Sequence, residues 1–124
     1  MIGIGTDILR VARVEEVVER LGDRFVRRIL SPQEREEYRL SQMPHRLLAK
    51  RFAAKEAIAK ALGTGIGRGV SWQDITIGHN DMGAPLVDLS GGALAVATER
   101  GGSAVQLSLA DEAEYVVAFA ILQG

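Results

Sequence analysis

The chain contains no cysteine, only two histidines and three prolines, and few aromatics: three phenylalanines, two tyrosines and one tryptophan. Without cysteine there can be no disulfide, no thiolate metal site and no cysteine nucleophile. His45 and His79 are too few for a histidine-rich zinc site, and both stand alone, without an assignable role. Long hydrophobic runs are missing too. The longest, Tyr115 to Leu122, falls well short of the roughly 20 residues that a membrane-spanning helix needs. The opening MIGIGTDILRVARVEE lacks a basic segment followed by an apolar one, so no secretory signal is expected and a cytoplasmic address is. What remains is an ordinary globular composition: 124 residues, 47% hydrophobic and 25% charged. It suits one domain over residues 1–124, burying about two thirds of its unfolded surface.

The net charge of −1 hides an asymmetry. Residues 44–70 hold six Lys/Arg against Glu56 alone, and residues 71–124 hold only Arg100 against seven acids. A basic first half suggests an anionic partner, while the overall pI of about 6.1 speaks against a general nucleic-acid binder. Charge alone fits equally well a fold whose two halves neutralise each other.

Periodicity divides the chain. Ile2, Ile4, Thr6 and Ile8 alternate with Gly3, Gly5 and Asp7, a strand pattern in which Asp7 ends a face stripped of side chains, so that face reads as a site rather than a core. Val11, Val14, Val17, Val18 and Leu21 repeat at helical spacing up to Gly22, and Phe25 to Leu30 suggests a further helical turn. Ser31-Pro32-Gln33-Glu34 is a capping box that starts a helix through about Ser41. Pro44 opens the longest helix, which runs to Leu62 and stops at Gly63, with Leu48, Phe52, Ala59 and Leu62 as its apolar ridge. Beyond the glycine-rich stretch 63–69, strands are expected around Ile75–Ile77, Leu86–Leu89, Val105–Leu109 and Val116–Leu122, with a short alanine-rich helix after Ser90. Hairpins of this kind imply an α+β fold: an antiparallel sheet with helices segregated to one side. The last strand is apolar on both faces, which places it centrally or at an interface between subunits. Phe52 and Trp72 are assigned to the core.

The long helix carries Glu56 and Lys60, four residues apart and on one face with Ala49 and Ala53. An exposed ion pair is the ordinary meaning of that spacing. Two features favour chemistry: the alanines leave room beside the carboxylate, and Glu56 is the only acid between Arg46 and Arg68. A carboxylate at a strand end (Asp7) and one in a basic helix can together hold a hard divalent ion such as Mg²⁺, with water and phosphate oxygens completing its shell. The loop Gly63-Thr64-Gly65-Ile66-Gly67-Arg68-Gly69 reads either as a helix stop or as a set of backbone N–H groups facing a phosphate. It lacks the Gly-Lys-Ser/Thr ending of a nucleotide-binding P-loop. Arg13, Arg20 and Arg24, with Arg27 and Arg28, are either solvated surface or a row that meets an acidic protein.

The segments GIGTDILRVARV, RILSPQEREEY, RFAAKEAIAKALGTGIG, VSWQDITI and SLADEAEYVVAFAIL resemble, in that order and over essentially the whole chain, the bacterial holo-acyl-carrier-protein synthases, the small 4′-phosphopantetheinyl transferases. The resemblance implies an Mg²⁺-dependent transfer of phosphopantetheine from coenzyme A to a carrier-protein serine, serving lipid and fatty acid biosynthesis. It implies Asp7 and Glu56 as Mg²⁺ ligands and Asp7, Glu56 and Lys60 as the catalytic set. Arg51, Lys60, Gly63, Thr64, Gly65 and Ser108 would contact the nucleotide. Arg13, Arg20 and Arg24 would receive the carrier, and a homotrimer would place active sites between subunits. One departure stands out: where the family usually has Ser-x-Ser/Thr-His, this chain reads Ser108-Leu109-Ala110-Asp111. A non-catalytic module that binds coenzyme A or the carrier is the alternative expectation, and a helical scaffold that merely oligomerises is a third.

Overall fold

A computed structural model describes residues Met1–Gly124. Strand β1 (Gly3–Arg10) runs straight into helix α1 (Val11–Leu21), followed by α2 (Asp23–Ile29), α3 (Pro32–Leu40) and the long α4 (Pro44–Ala61). A 3₁₀ turn (Trp72–Asp74) then leads into β2 (Ile75–His79) and β3 (Pro85–Leu89). Helix α5 (Gly91–Glu99) precedes β4 (Ala104–Asp111) and β5 (Tyr115–Gln123). The fold is α+β, as the hairpin pattern implies, but with two antiparallel sheets: β1-β5-β4, and the β2-β3 hairpin. The 3₁₀ turn carries no periodic signal and is absent from the sequence reading.

Strand β5 is central, paired with β1 from Gly3↔Leu122 to Arg10↔Tyr115 and with β4 from Ala104↔Gln123 to Asp111↔Val116. Its two apolar faces have different fates. Val116, Ala118, Ala120 and Leu122 are fully buried, whereas Tyr115, Val117 and Phe119 are exposed. Helix α4 lies across β1 and β5 on the buried side.

Strand β1 corrects the reading of its glycine face. Ile4 and Ile8 point outward, 52% and 64% exposed, and the glycines point inward. A Cβ on Gly3 would stand 1.9 Å from the Ala61 carbonyl oxygen, and one on Gly5 2.0 Å from that of Ala57. The bare face therefore admits the backbone of α4 rather than a ligand, and only glycine permits that approach. The alanines of α4 answer it: Ala49, Ala53, Ala57 and Ala61 recur every fourth position and are buried. Ala49 and Ala53 are themselves fully buried and so leave no open space for a substrate. The expected ridge of Leu48, Phe52, Ala59 and Leu62 is only part of the buried surface of α4, because α4 is enclosed on nearly every side. Phe52 and Trp72 are half-buried at the core's margin and stack 4.8 Å apart, with Phe25 beyond Phe52 at 6.2 Å.

Since the obstacle at Gly5 is backbone, Gly5→Ala is expected to cost at least ~2 kcal/mol of stability in urea-induced unfolding. A loss under ~0.5 kcal/mol shows that β1 and α4 can separate freely.

Candidate functional site

The tight seating of β1 on α4 decides which side chains meet. Asp7 is the next inward position after Gly3 and Gly5, and α4 offers Glu56 and Lys60 to the same end of the strand. Lys60 Nζ donates to the Thr6 carbonyl at 2.9 Å and lies 3.3 Å from Asp7 Oδ1. The lysine therefore pairs across to the strand, not along its own helix with Glu56 as the i,i+4 spacing suggests. Glu56 is half-buried; burial above all, then the negative charge of Asp7, pushes its carboxyl pKa up, and the Lys60 charge offsets part of that. Asp7 and Glu56 line one cleft of about 280 Å³, together with Arg13 and an apolar wall that includes Val14, Phe25 and Phe52. Two neighbouring carboxylates beside one exposed ammonium leave room for further positive charge. No third Asp, Glu, His or Cys joins them. Two hard oxygen donors with open positions suit Mg²⁺, which keeps water and phosphate oxygens in its shell, and do not make the closed nitrogen or sulfur set of a structural zinc site.

The glycine loop begins where α4 ends. Gly63 has φ 85°, and its N–H donates to the Lys60 carbonyl at 2.9 Å. The N–H groups of Thr64 and Gly65 both donate to the Ala59 carbonyl, at 3.3 and 3.1 Å. The loop is thus a helix stop whose first three N–H groups are taken up by α4's last carbonyls. Arg100 holds it from the other side, donating to the carbonyls of Ala61 and Ile2, each at 3.2 Å.

Other residues singled out in the sequence lie elsewhere. Arg51 is 3% exposed at its side chain, donates from Nη2 to Glu37 at 3.0 Å and stands 3.6 Å from Glu34, apart from the carboxylate pair. Ser108 is exposed on the outer face of the sheet, in register with Phe119, whereas Asp7 is on the inner face, in register with Ala118. Asp111 pairs with Arg46 at 3.1 Å and Lys50 at 3.8 Å, and Arg46 also holds the carbonyls of Glu112 and Ala113. Arg13, Arg20 and Arg24 are exposed on α1 and α2, with Arg13 at the mouth of the Asp7–Glu56 cleft.

Sequence reasoning missed a buried charge cluster beneath α4. Lys55 and Glu34 are each 0% exposed, with Lys55 Nζ donating to Glu34 Oε1 at 2.6 Å. Burial pulls the Lys55 pKa down, an effect that the Glu34 carboxylate opposes. The signal was present: Lys55 lies seven residues from both Leu48 and Leu62, inside an apolar stripe where a lysine needs an internal partner.

A family model of the 4′-phosphopantetheinyl transferase superfamily matches residues 3–120. The chain belongs to that superfamily. The holo-[acyl-carrier-protein] synthase of Shewanella frigidimarina is 54% identical over 123 residues, covering 99% of this chain and 98% of its own. The crystal structure of the Neisseria meningitidis holo-[acyl-carrier-protein] synthase superposes with a TM-score of 0.95 at 42% identity, covering 100% of this chain and 99% of that one. The Helicobacter pylori holo-[acyl-carrier-protein] synthase, crystallised in complex with coenzyme A, superposes with a TM-score of 0.84 at 32% identity, covering 97% and 99%. As a member of a transferase superfamily matched along its whole length, the chain is an enzyme.

The raised pKa of Glu56 carries a stability signature in this transferase. Folding favours the protonated carboxyl, so the stability it lends is complete below the ordinary value of 4.5 and is lost as pH rises through the raised one. Glu56→Gln is therefore expected to raise the thermal midpoint of the metal-free protein at pH 7, with the difference closing below about pH 4.5. Calorimetry across that range is the check, and an unchanged or lower midpoint at pH 7 speaks against a strained carboxylate.

Proposed function

We propose that the chain transfers 4′-phosphopantetheine from coenzyme A to a serine of an apo acyl carrier protein, releasing adenosine 3′,5′-bisphosphate, with Mg²⁺ held by Asp7 and Glu56. One observation carries this reading: two carboxylates from distant parts of the sequence line one cleft with Arg13, and Lys60 pairs with the first of them. The names of the relatives and the coenzyme A bound to the Helicobacter pylori structure support it.

In this reaction the carrier serine oxygen forms a bond to the β-phosphorus of coenzyme A. The bond from that phosphorus to the bridging diphosphate oxygen breaks, and the electron pair leaves with the bisphosphate. Bound Mg²⁺ supplies neutralisation of the diphosphate charge. Lys60, already oriented by the Thr6 carbonyl, is placed to stabilise negative charge on the leaving phosphate. The serine proton passes to Glu56, or to a water oriented by Asp7 or Glu56. Arg51, the Gly63-Thr64-Gly65 turn and Ser108 complete the proposed nucleotide contacts. Because the turn's N–H groups cap α4, it contributes by its shape and its closeness to Lys60.

Ser108 and Asp7 lie on opposite faces of one sheet, so a single coenzyme A that touches both must bridge two chains. The outer face, with Ile4, Ile8, Val117 and Phe119 exposed, offers an apolar surface for that contact. Both support sites between subunits, as in the homotrimer that the resemblance implies. No helix is long and apolar enough to cross a membrane, and a cytoplasmic role in fatty acid biosynthesis fits a carrier-protein substrate.

Mass spectrometry of apo carrier protein incubated with the chain, coenzyme A and Mg²⁺ is expected to show the carrier gaining one phosphopantetheine group. A carrier that binds but gains no mass supports the non-catalytic module instead. In the same assay Glu56→Gln is expected to lower kcat at least ~100-fold, and near-parental turnover removes Glu56 from the mechanism. Charge reversal at Arg13 and Arg20 is expected to weaken carrier binding more at low than at high salt, because screening already suppresses exposed charge pairs; a loss independent of ionic strength argues for packing contacts instead.

A further inference from the structure

Helix α4 must deliver Glu56 to Asp7 within a small tolerance, since catalytic groups act only when held to about half an ångström. Its contact with the sheet does not provide that precision alone. Where α4 meets β1, the meeting surfaces are its own backbone at Ala57 and Ala61 and the bare backbone of Gly3 and Gly5. Such surfaces approach closely but interdigitate little, so they oppose rolling or sliding of the helix less than long side chains packed as ridges in grooves. The restraint comes from the other side. At 3.6 residues per turn, Lys55 projects about 160° away from Ala53 and Ala57, with Glu56 between the two directions.

The three ammonium protons of Lys55 have three acceptors on three elements. Nζ donates to the Ile29 carbonyl at the end of α2 (2.7 Å), to Glu34 Oε1 in α3 (2.6 Å) and to the Trp72 carbonyl of the 3₁₀ turn (3.0 Å). Glu34 is in turn fixed by the Ser31 N–H (2.9 Å) and hydroxyl (3.1 Å), and its other oxygen accepts from the Ile77 N–H of β2 at 2.9 Å. A lysine with every proton engaged and no exposed surface has nothing left with which to hold a phosphate. Buried ion pairs contribute little net stability relative to apolar replacements, but the geometry they demand is narrow.

We infer that Lys55 is a positioning residue: with Glu34 it forms a buried tripod that sets the rotation of α4 and so holds Glu56 against Asp7. This rests on the proposed cation site at Asp7 and Glu56. Transfer by the parent protein, and its binding of Mn²⁺ measured by electron paramagnetic resonance without coenzyme A, test that reading separately.

The variant for the tripod is Lys55→Met with Glu34→Gln, which removes the paired charges together at nearly constant side-chain length and leaves the buried Arg51 its Glu37 partner. The expected result is a cooperatively unfolding protein whose KM for carrier stays within about two-fold, whose kcat falls at least ~10-fold and whose Mn²⁺ dissociation constant rises at least ~5-fold. A merely structural pair would lower the unfolding midpoint and leave kcat and Mn²⁺ affinity at parental values, and that outcome overturns the inference. Should the double variant not fold, Ser31→Ala, which loosens Glu34 by one hydrogen bond, is read in its place. It is expected to lower kcat and Mn²⁺ affinity about three-fold together; parental values for both overturn the inference equally.

Discussion

The contact between the backbones of β1 and α4 is the constraint on which the rest of this transferase depends. Gly3 and Gly5 on one side and a four-residue alanine repeat on the other let a strand and a helix approach until their main chains touch. Dispersion attraction grows as such surfaces close. The functional return is local: Asp7, two residues beyond the second glycine, is carried to Lys60 without a loop intervening. Groups placed on rigid elements keep their geometry better than groups placed on loops.

The same helix is held by opposite means on its two sides. Toward the sheet the buried contact is apolar, with the Lys60–Asp7 pair at its rim, and toward α2, α3 and the hairpin it contains fully buried charge. Apolar burial supplies most of the driving force for folding, while the polar contacts specify geometry. Glu56 emerges between the two regimes, half-buried and with its carboxyl pKa raised. A carboxylate kept where it is uncomfortable is a common mark of groups that act on a ligand rather than on the fold.

Much of this was legible in the sequence, for identifiable reasons. Helices α3 and α4 announced themselves through Pro32 and Pro44 and through the Ser31–Glu34 capping box, because those signals are local. The α+β class followed from hairpin spacing. Asp7 and Glu56 were paired by charge and by resemblance, since a separation of 49 positions has no local signature. The glycine face of β1 reads as a site because an alternating pattern tells two sides apart without saying what packs on either; the backbone of α4 fills it, and Ile4 and Ile8 face outward. The Lys55–Glu34 pair was missed because a lysine in isolation reads as surface, and only its place in the stripe between Leu48 and Leu62 says otherwise. The 3₁₀ turn at Trp72 was too short to leave a period.

The pairing of β1 with β5 joins Gly3 to Leu122, and it has a consequence in time. On a ribosome β1 is made long before its partner β5, so it has no neighbour in its sheet until the segment through residue 122 has emerged. Helices α1 to α4 can form while synthesis continues, but the strand that bears Asp7 can complete its sheet pairing only afterwards. A nascent chain therefore completes the sheet around Asp7 in a late step, and incomplete translation products leave β1 without its strand partner.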